Sequence, residues 1–306
     1  MSELTIGVSL PTLGENTGSA TIARAARRAE ALGLDAVAAS DVLLGDGSAA
    51  LEPVVALSVA AAVTEQIALD FGVLSVPTRP LAMLAAQVQT LQYVSGDRVR
   101  LGLGTGGFPG SPFWRALGAP ERGRARLLDT ALDLLPDLLA GKPTTIPGPD
   151  GGTTLTLAPA VPIPPLLVGG WSGEKSLRRI ATRADGWVPS GMTSTELAAA
   201  VARLRELSDE VGRPLPRTNI GLHCVLGTRP DDEDDRAAMT ESLGGFFEMT
   251  PEQVAAVTIV GSPEQAADRL REYAAAGADH IGLGLDGRDY FRQLDLLGEV
   301  RALLSR

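Results

Sequence analysis

The sequence predicts an α/β fold of the (β/α)8 type, a TIM barrel with insertions after strands 4 and 7. Three observations predict it. Eight short, nearly continuous apolar runs alternate with segments of helical periodicity, as in a parallel sheet covered by helices. The join Leu32-Gly33-Leu34-Asp35 returns as Ala276-Gly277-Ala278-Asp279, each ending a helix and opening a strand, with glycine supplying the left-handed backbone that stops the helix. The 306 residues are 44% hydrophobic and suffice for one such barrel, which takes about 250 residues before insertions. No linker composition interrupts them, so residues 1–306 read as a single domain.

In chain order the strand candidates are residues 4–10, 35–39, 67–74, 98–103, 165–168, 185–188, 219–226 and 280–285. Between them Ile22, Ala25, Ala26, Ala29 and Leu32 recur at helical spacing, as do Leu177, Ile180, Ala181 and Ala184. Thr250-Pro251-Glu252-Gln253 and Ser262-Pro263-Glu264-Gln265 are capping boxes with proline at the first helical position, and Thr193 with Glu196 makes a third. The alternation breaks over about 105–164. There GGFPGSPFW (106–114) reads as irregular, 122–139 as a helix with Pro136 kinking it or marking its last turn, and 153–157 as a short hairpin strand. A second irregular region spans 229–249. Its acidic run, Asp231 to Asp235, reads as a solvated helix start favoured by the helix dipole.

Composition removes several function classes. Lys+Arg is 27 against Asp+Glu 37, a formal charge of −10, which argues against nucleic acid as the partner. Cys224, the single cysteine, has no intrachain disulfide partner. Two histidines, His223 and His280, exclude a multi-histidine metal centre and an H-E-x-x-H site, so no metal is expected. The start MSELTIGVSL lacks a basic segment followed by a long apolar one, and no apolar run reaches the roughly 18 residues a bilayer span needs. A cytoplasmic protein with no membrane partner is the expectation.

Gly102-Leu103-Gly104-Thr105-Gly106-Gly107 follows a strand and matches G-x-G-x-x-G, but no helix opens at its third glycine and no acid stands about twenty residues on. It reads better as a strand end closely approached by a planar ligand or another backbone. Gly169-Gly170-Trp171-Ser172 ends the next strand candidate before a helix. Its N–H groups and the Ser172 hydroxyl form either an anion site or an ordinary turn with Ser172 as N-cap. Ser190 and Gly191 end the following strand, and neighbouring strand ends share one rim, which favours the anion site. Asp41 follows strand 2, where barrel enzymes place working groups, or else caps a loop. Phe108, Phe113 and Trp114 wall a hydrophobic pocket or staple the insertion to the barrel. His223 and Cys224 read as packing residues, His223 having the alternative of reaching the lumen; His280 opens the last strand, at the face opposite the catalytic one.

In this order, several segments together resemble the bacterial luciferase-like flavin-dependent oxidoreductases over nearly the whole chain. They are Ile6-Gly7-Val8, Ala29 to Asp35, Ser40-Asp41, Phe71-Gly72-Val73 through Pro77-Thr78-Arg79-Pro80, Ser95 to Gly104, Leu167 to Gly170, Ala184 to Trp187 and Val260 to Glu264. The resemblance implies a barrel that binds FMN or the 5-deazaflavin coenzyme F-420 at its C-terminal mouth. It implies a non-prolyl cis peptide at Gly72-Val73, making a bulge that props the central ring. It gives Asp41 a hydrogen bond to the ring, places Gly104 and Thr105 beside the cofactor, and gives the phosphate end to Gly169, Gly170, Trp171, Ser172, Ser190 and Gly191.

Val42 stands where many deazaflavin members have histidine, and Gly106-Gly107-Phe108 where the sugar-phosphate dehydrogenases have an acid. A charged sugar phosphate is therefore not the expected substrate; Val42, Leu43, Leu44, Phe108, Phe113 and Trp114 make an apolar pocket. The resemblance implies hydride transfer between F-420 and a small, largely apolar organic substrate. The alternatives are an FMN-dependent monooxygenase using O2 and a non-catalytic flavin-binding barrel. The Ala- and Arg-rich composition favours F-420 by association. Asp41, Glu15 and Ser75 are the candidate proton donors, and a homodimer is expected from the resemblance.

Overall fold

The computed structural model describes residues 4–148 and 150–305. Met1 to Glu3 of the N-terminal stretch read above lie outside the described residues. The strands are β1 (Thr5–Ser9), β2 (Ala36–Ala39), β3 (Ala68–Ser75), β4 (Val99–Gly104), β5 (Thr144–Ile146), β6 (Thr153–Leu155), β7 (Leu166–Gly169), β8 (Gly186–Val188), β9 (Arg217–Leu226), β10 (Thr258–Gly261) and β11 (His280–Leu285). The helices are α1 (Thr21–Ala31), α2 (Pro53–Val63), α3 (Leu81–Ser95), α4 (Pro112–Ala116), α5 (Arg124–Leu139), α6 (Glu174–Arg183), α7 (Ser194–Glu210), α8 (Pro230–Phe247), α9 (Pro251–Val257), α10 (Pro263–Ala275) and α11 (Tyr290–Leu304).

The parallel order β9-β11-β1-β2-β3-β4-β7-β8 closes on itself through β8 and β9, where Gly186 faces Arg217 and Trp187 faces Thr218. All eight expected strands are the barrel strands. Their outward side chains, such as Ile6, Val8, Leu69, Leu101 and Ile281, are buried under the helices. Gly33 and Gly277 both have positive φ at the helix ends, as the repeated join requires. The three capping boxes at Thr193, Thr250 and Ser262 are formed. Pro136 lies in the last turn of α5, and 153–155 pairs antiparallel with 144–146 as the expected hairpin.

The lumen floor is polar. Arg100 grips Asp70 with two bonds of 2.5 and 2.7 Å. His280 lies 2.9 Å from the Thr5 hydroxyl and 3.5 Å from Asp70. Burial, together with Arg100 and Arg217, pushes the His280 imidazole well below its usual value, so it packs as a neutral ring. Gly7 leaves room for that ring: a Cβ there would sit 2.9 Å from it.

Four expectations are corrected. The region 229–249 is not irregular but contains the eighteen-residue helix α8, whose weak apolar periodicity hid it. Its acidic run, Asp231 to Asp235, is not simply solvated. The Asp232 side chain is 0% exposed and takes two bonds from Arg292 at 2.5 and 2.9 Å, while buried Asp235 takes Arg288 Nε at 2.5 Å. A further strand, β10, joins the edge of β9 beyond β8; it abuts α9 directly, so no turn residues announced it. Within 106–114, Ser111 caps the short helix α4 by accepting from the Trp114 N–H at 3.2 Å.

Arg292→Met would leave the Asp232 carboxylate buried without its partner. We expect a loss of about 3–5 kcal/mol in urea unfolding. Arg292 holds the Asp232 carboxyl below its usual range. The stabilisation is therefore complete above that range and is lost as pH falls through the depressed value; the variant should lose this acid limb of the stability profile.

Candidate active site at the barrel mouth

The mouth is organised by one close approach. Between Phe71 and Leu74 the register of β3 against β4 shifts, and the Gly72-Val73 peptide is cis, as the resemblance implied. Gly72 is exposed in the mouth and its carbonyl accepts from the Ser40 hydroxyl at 3.1 Å. The Val73 side chain turns onto three glycines. A Cβ on Gly102 would lie 2.1 Å from the Phe71 carbonyl oxygen and 2.7 Å from Val73; on Gly104 or Gly169 it would lie 2.8 or 2.9 Å from Val73. The glycine run of β4 thus serves the approach of a neighbouring backbone, one of the two readings weighed for it.

Asp41 lies at the end of β2 with its side chain 4% exposed. It accepts from the Ser75 N–H at 2.9 Å and pairs with Arg79. Arg79 also reaches Glu52 at 2.8 Å, and Glu52 caps α2 by accepting from the Val55 N–H. Burial works against the Arg79 charge, but the two carboxylates more than restore it. Asp41 is therefore engaged in fastening the end of β2 to the segment after β3. Of the other proton-donor candidates, Ser75 is buried and Glu15 is exposed on the loop after β1.

On the far rim, β7 and β8 end side by side, with Gly169 opposite Val188. The Gly170 carbonyl accepts from Trp187 Nε1 at 2.9 Å, and Gly170 leaves room for Ser176 in the first turn of α6. Trp171, Ser172 and Ser190 are exposed there, and Ser190 bridges to Gly221. Gly191 has positive φ beside the Met249 methyl. Gly173, not Ser172, is the N-cap of α6 and makes no side-chain bond, so the Ser172 hydroxyl is not used as a cap. Glu174, in that first turn, is drawn to Arg203 and Arg178. The start of α6 carries the positive end of the helix dipole, the polarity an anion requires.

The aromatic residues divide. Trp114 is 3% exposed and lies on Gly106, where a Cβ would fall 2.6 Å from its ring. Arg124 of α5 donates to the Thr105 and Gly106 carbonyls at 2.8 and 2.5 Å and lies over the same indole. Trp114 therefore staples the insertion. Phe113 is half-buried beside the half-buried loop Val42-Leu43, its N–H donating to the Leu44 carbonyl at 2.9 Å. Phe108 meets Phe246 edge to face at 5.4 Å, so the insertion after β4 touches α8, which belongs to the insertion after β9.

The packing reading of His223 missed a polar pair. Along β9, Ile220, Leu222 and Cys224 are buried outward while Asn219, Gly221 and His223 are partly open on the other face. The His223 side chain is 44% exposed, with Nδ1 2.9 and 3.1 Å from the two oxygens of Asp286, just past β11. The alternation in 219–224 was the available signal; Asp286, 63 positions away, had none. Cys224 is buried and its thiol is pushed well up by burial and by Asp286, in keeping with a packing role.

Gly102→Ala places a methyl into the Phe71 carbonyl. It should destabilise the protein by about 1–3 kcal/mol in thermal or urea unfolding, the usual cost of overpacking. Gly107→Ala, where nothing lies within 4 Å, should change stability far less.

The profile of the luciferase-like monooxygenase family matches residues 5–280. An uncharacterized protein of Mycobacterium tuberculosis is 35% identical over 174 residues, 56% of this chain and 59% of that protein, so the match spans little more than half of that relative's length. The 5,10-methylenetetrahydromethanopterin reductase of Methanopyrus kandleri is 23% identical over 265 residues, 82% of this chain and 75% of the relative. The structure of the coenzyme F420-dependent tetrahydromethanopterin reductase from that organism has a TM-score of 0.80 at 19% identity, over 99% of this chain and 100% of that one. A monooxygenase from Streptomyces bottropensis has a TM-score of 0.79 at 22% identity, over 99% of this chain and 100% of that one. At these identities the structural likenesses establish the fold. With the closed barrel, the cis Gly72-Val73 bulge and a profile match from β1 to the start of β11, the chain belongs to the luciferase-like monooxygenase family.

Proposed function

We propose that the chain is an oxidoreductase that binds F-420 at the barrel mouth and exchanges hydride with a small, largely apolar organic substrate. The observation that carries the reading is the exposed Gly72-Val73 shelf, seated on Gly102, Gly104 and Gly169 and open to the mouth. A flat ring would lie against the exposed backbone at Gly72, since the Val73 side chain is turned onto the glycines. Gly104 and Thr105 would flank the ring. Gly169, Gly170, Trp171, Ser172, Ser190 and Gly191 would hold the phosphate end through N–H and hydroxyl donors, supported by the start of α6. Asp41 would act indirectly, by holding Ser75 and Arg79 beneath the shelf.

Bound F-420 supplies a hydride carrier whose carbon at position 5 reacts poorly with O2. The chain's own part is orientation and dryness. Val42, Leu43, Phe108 and Phe113 would hold an apolar substrate against the ring and exclude water, while Trp114 fixes the loop that carries Phe108 and Phe113. The F420-dependent relative from Methanopyrus supports this cofactor, and the Streptomyces monooxygenase is the reason to test FMN beside it. Titration by fluorescence should show tight F-420 and weak FMN binding. The reverse order would favour an O2-using monooxygenase, and binding of neither would remove the cofactor reading.

We also propose a homodimer formed by a second copy against α2 and α3. The segment Pro53–Val63 carries no charged residue, yet Val55 and Val59 are exposed on it, with Met83 exposed on the adjacent α3. A helix apolar all round calls for cover on its outer face as well. Light scattering should give the dimer mass, and Val55→Glu should give the monomer.

A further inference from the structure

We propose that His223 and Asp286 are the proton-transfer pair of this site, His223 exchanging the proton with the substrate and Asp286 positioning it. The proposal rests on the hydride-transfer reading above and names a role that the resemblance did not supply.

The placement is set by topology. In the closed order β9-β11-β1-β2-β3-β4-β7-β8, β3 and β9 are diametrically opposed. His223 lies on the partly open face of β9, on the strand opposite the Gly72-Val73 shelf, so a substrate over a ring held at that shelf would lie between the two. Gly284, paired with His223 across β11 and β9, leaves space for the imidazole, since a Cβ there would lie 3.3 Å from Nδ1. Asp286 is held at the end of β11 by donating its N–H to the Cys224 carbonyl at 3.0 Å.

The chemistry follows from the donor set. Both Asp286 oxygens are acceptors, so Nδ1 carries the hydrogen between them, and Nε2 is the nitrogen left to meet a ligand. In the reducing direction the carbon of a carbonyl or imine receives the hydride. The Nε2–H bond breaks, the substrate oxygen or nitrogen takes that proton, and the neutral imidazole regains one from solvent. In the oxidising direction neutral Nε2 accepts the proton of an alcohol or amine. Substrates with a polarised C=O or C=N bond on an otherwise apolar frame therefore suit the site.

Partial desolvation in the barrel pulls the His223 imidazole down, but the Asp286 hydrogen bond and charge outweigh it, so its value lies above the usual one. Among the described residues Asp286 is the charged group that acts on it; Thr258 is its neighbour on β10, and the adjacent Cys224 thiol is pushed up and neutral. In this protein the acid form of His223 persists to higher pH than in a free imidazole.

Two histidines make the test direct. Carbon-detected NMR of the imidazoles should show one signal, His223, titrating above 6.5, while buried His280 stays neutral there. Asp286→Asn should lower that midpoint. Adding F-420 should shift the His223 signal. Reduced F-420 turned over with a panel of apolar enones and imines should lose rate as pH rises through the same midpoint. His223→Gln should bind F-420 as wild type does, yet lose roughly 100- to 10,000-fold in kcat and with it that pH limb.

A midpoint that Asp286→Asn leaves unchanged overturns the pair. If F-420 binds and turns over but His223→Gln keeps rate and pH profile, the proton-transfer role alone fails. If His223→Gln abolishes F-420 binding, His223 is a cofactor ligand instead. If wild type binds no F-420, the hydride-transfer reading fails first and takes this role with it.

Discussion

The mouth of this barrel depends on the contact between the Val73 side chain and the bare backbones of Gly102, Gly104 and Gly169. Parallel strands stand a fixed distance apart, and an interior normally filled by side chains leaves no room for a neighbouring strand to bulge inward. Three missing Cβ atoms create that room on two strands, and the strand β3 fills it. The consequence is an exposed backbone ledge at Gly72, a residue with no side chain of its own. Every proposed ligand position is defined relative to that ledge.

Arginine–carboxylate pairs hold the segments around the ledge. Arg79 joins Asp41 and Glu52, tying the end of β2 and the start of α2 to the chain after β3. Arg292 and Arg288 draw the first two turns of α8 onto the last βα unit, and Arg100 with Asp70 fills the floor below. Such pairs are costly to desolvate, and their value lies in geometry, because a bidentate pair accepts one arrangement of two loops. Asp41 and Asp232 are both engaged in this framework.

Above the framework the mouth has two unlike sides. On one, the loop after β2 meets the insertion after β4 through the Phe113 N–H and the Leu44 carbonyl, and Phe246 of α8 packs on Phe108. The other carries the Gly/Ser strand ends of β7 and β8 and, beyond them, His223 with Asp286. The absence of histidine at Val42 and of an acid at Gly106-Gly107-Phe108 then has a counterpart across the mouth, on β9, where an imidazole is available.

The sequence by itself determined what depends on neighbours along the chain. The eight barrel strands were legible because strands buried on both faces read as apolar runs, and the helix starts because Thr193, Thr250 and Ser262 bond to residues three positions on. The family's shelf could be placed at Gly72-Val73 because its flanking residues stand in order in the chain. Only the tertiary structure decided the partners. It set Asp41 against Arg79, Asp232 against Arg292 and His223 against Asp286, at separations of 38, 60 and 63 residues. It likewise revealed β10, whose pairing depends on the length of β9, and α8, which is held by cations from the last βα unit. A lone Asp or His carries the same letter whether solvated, paired or poised toward a ligand. Its chemistry is fixed by which distant group closes the remaining hydrogen bond, and that is a property of the closed barrel.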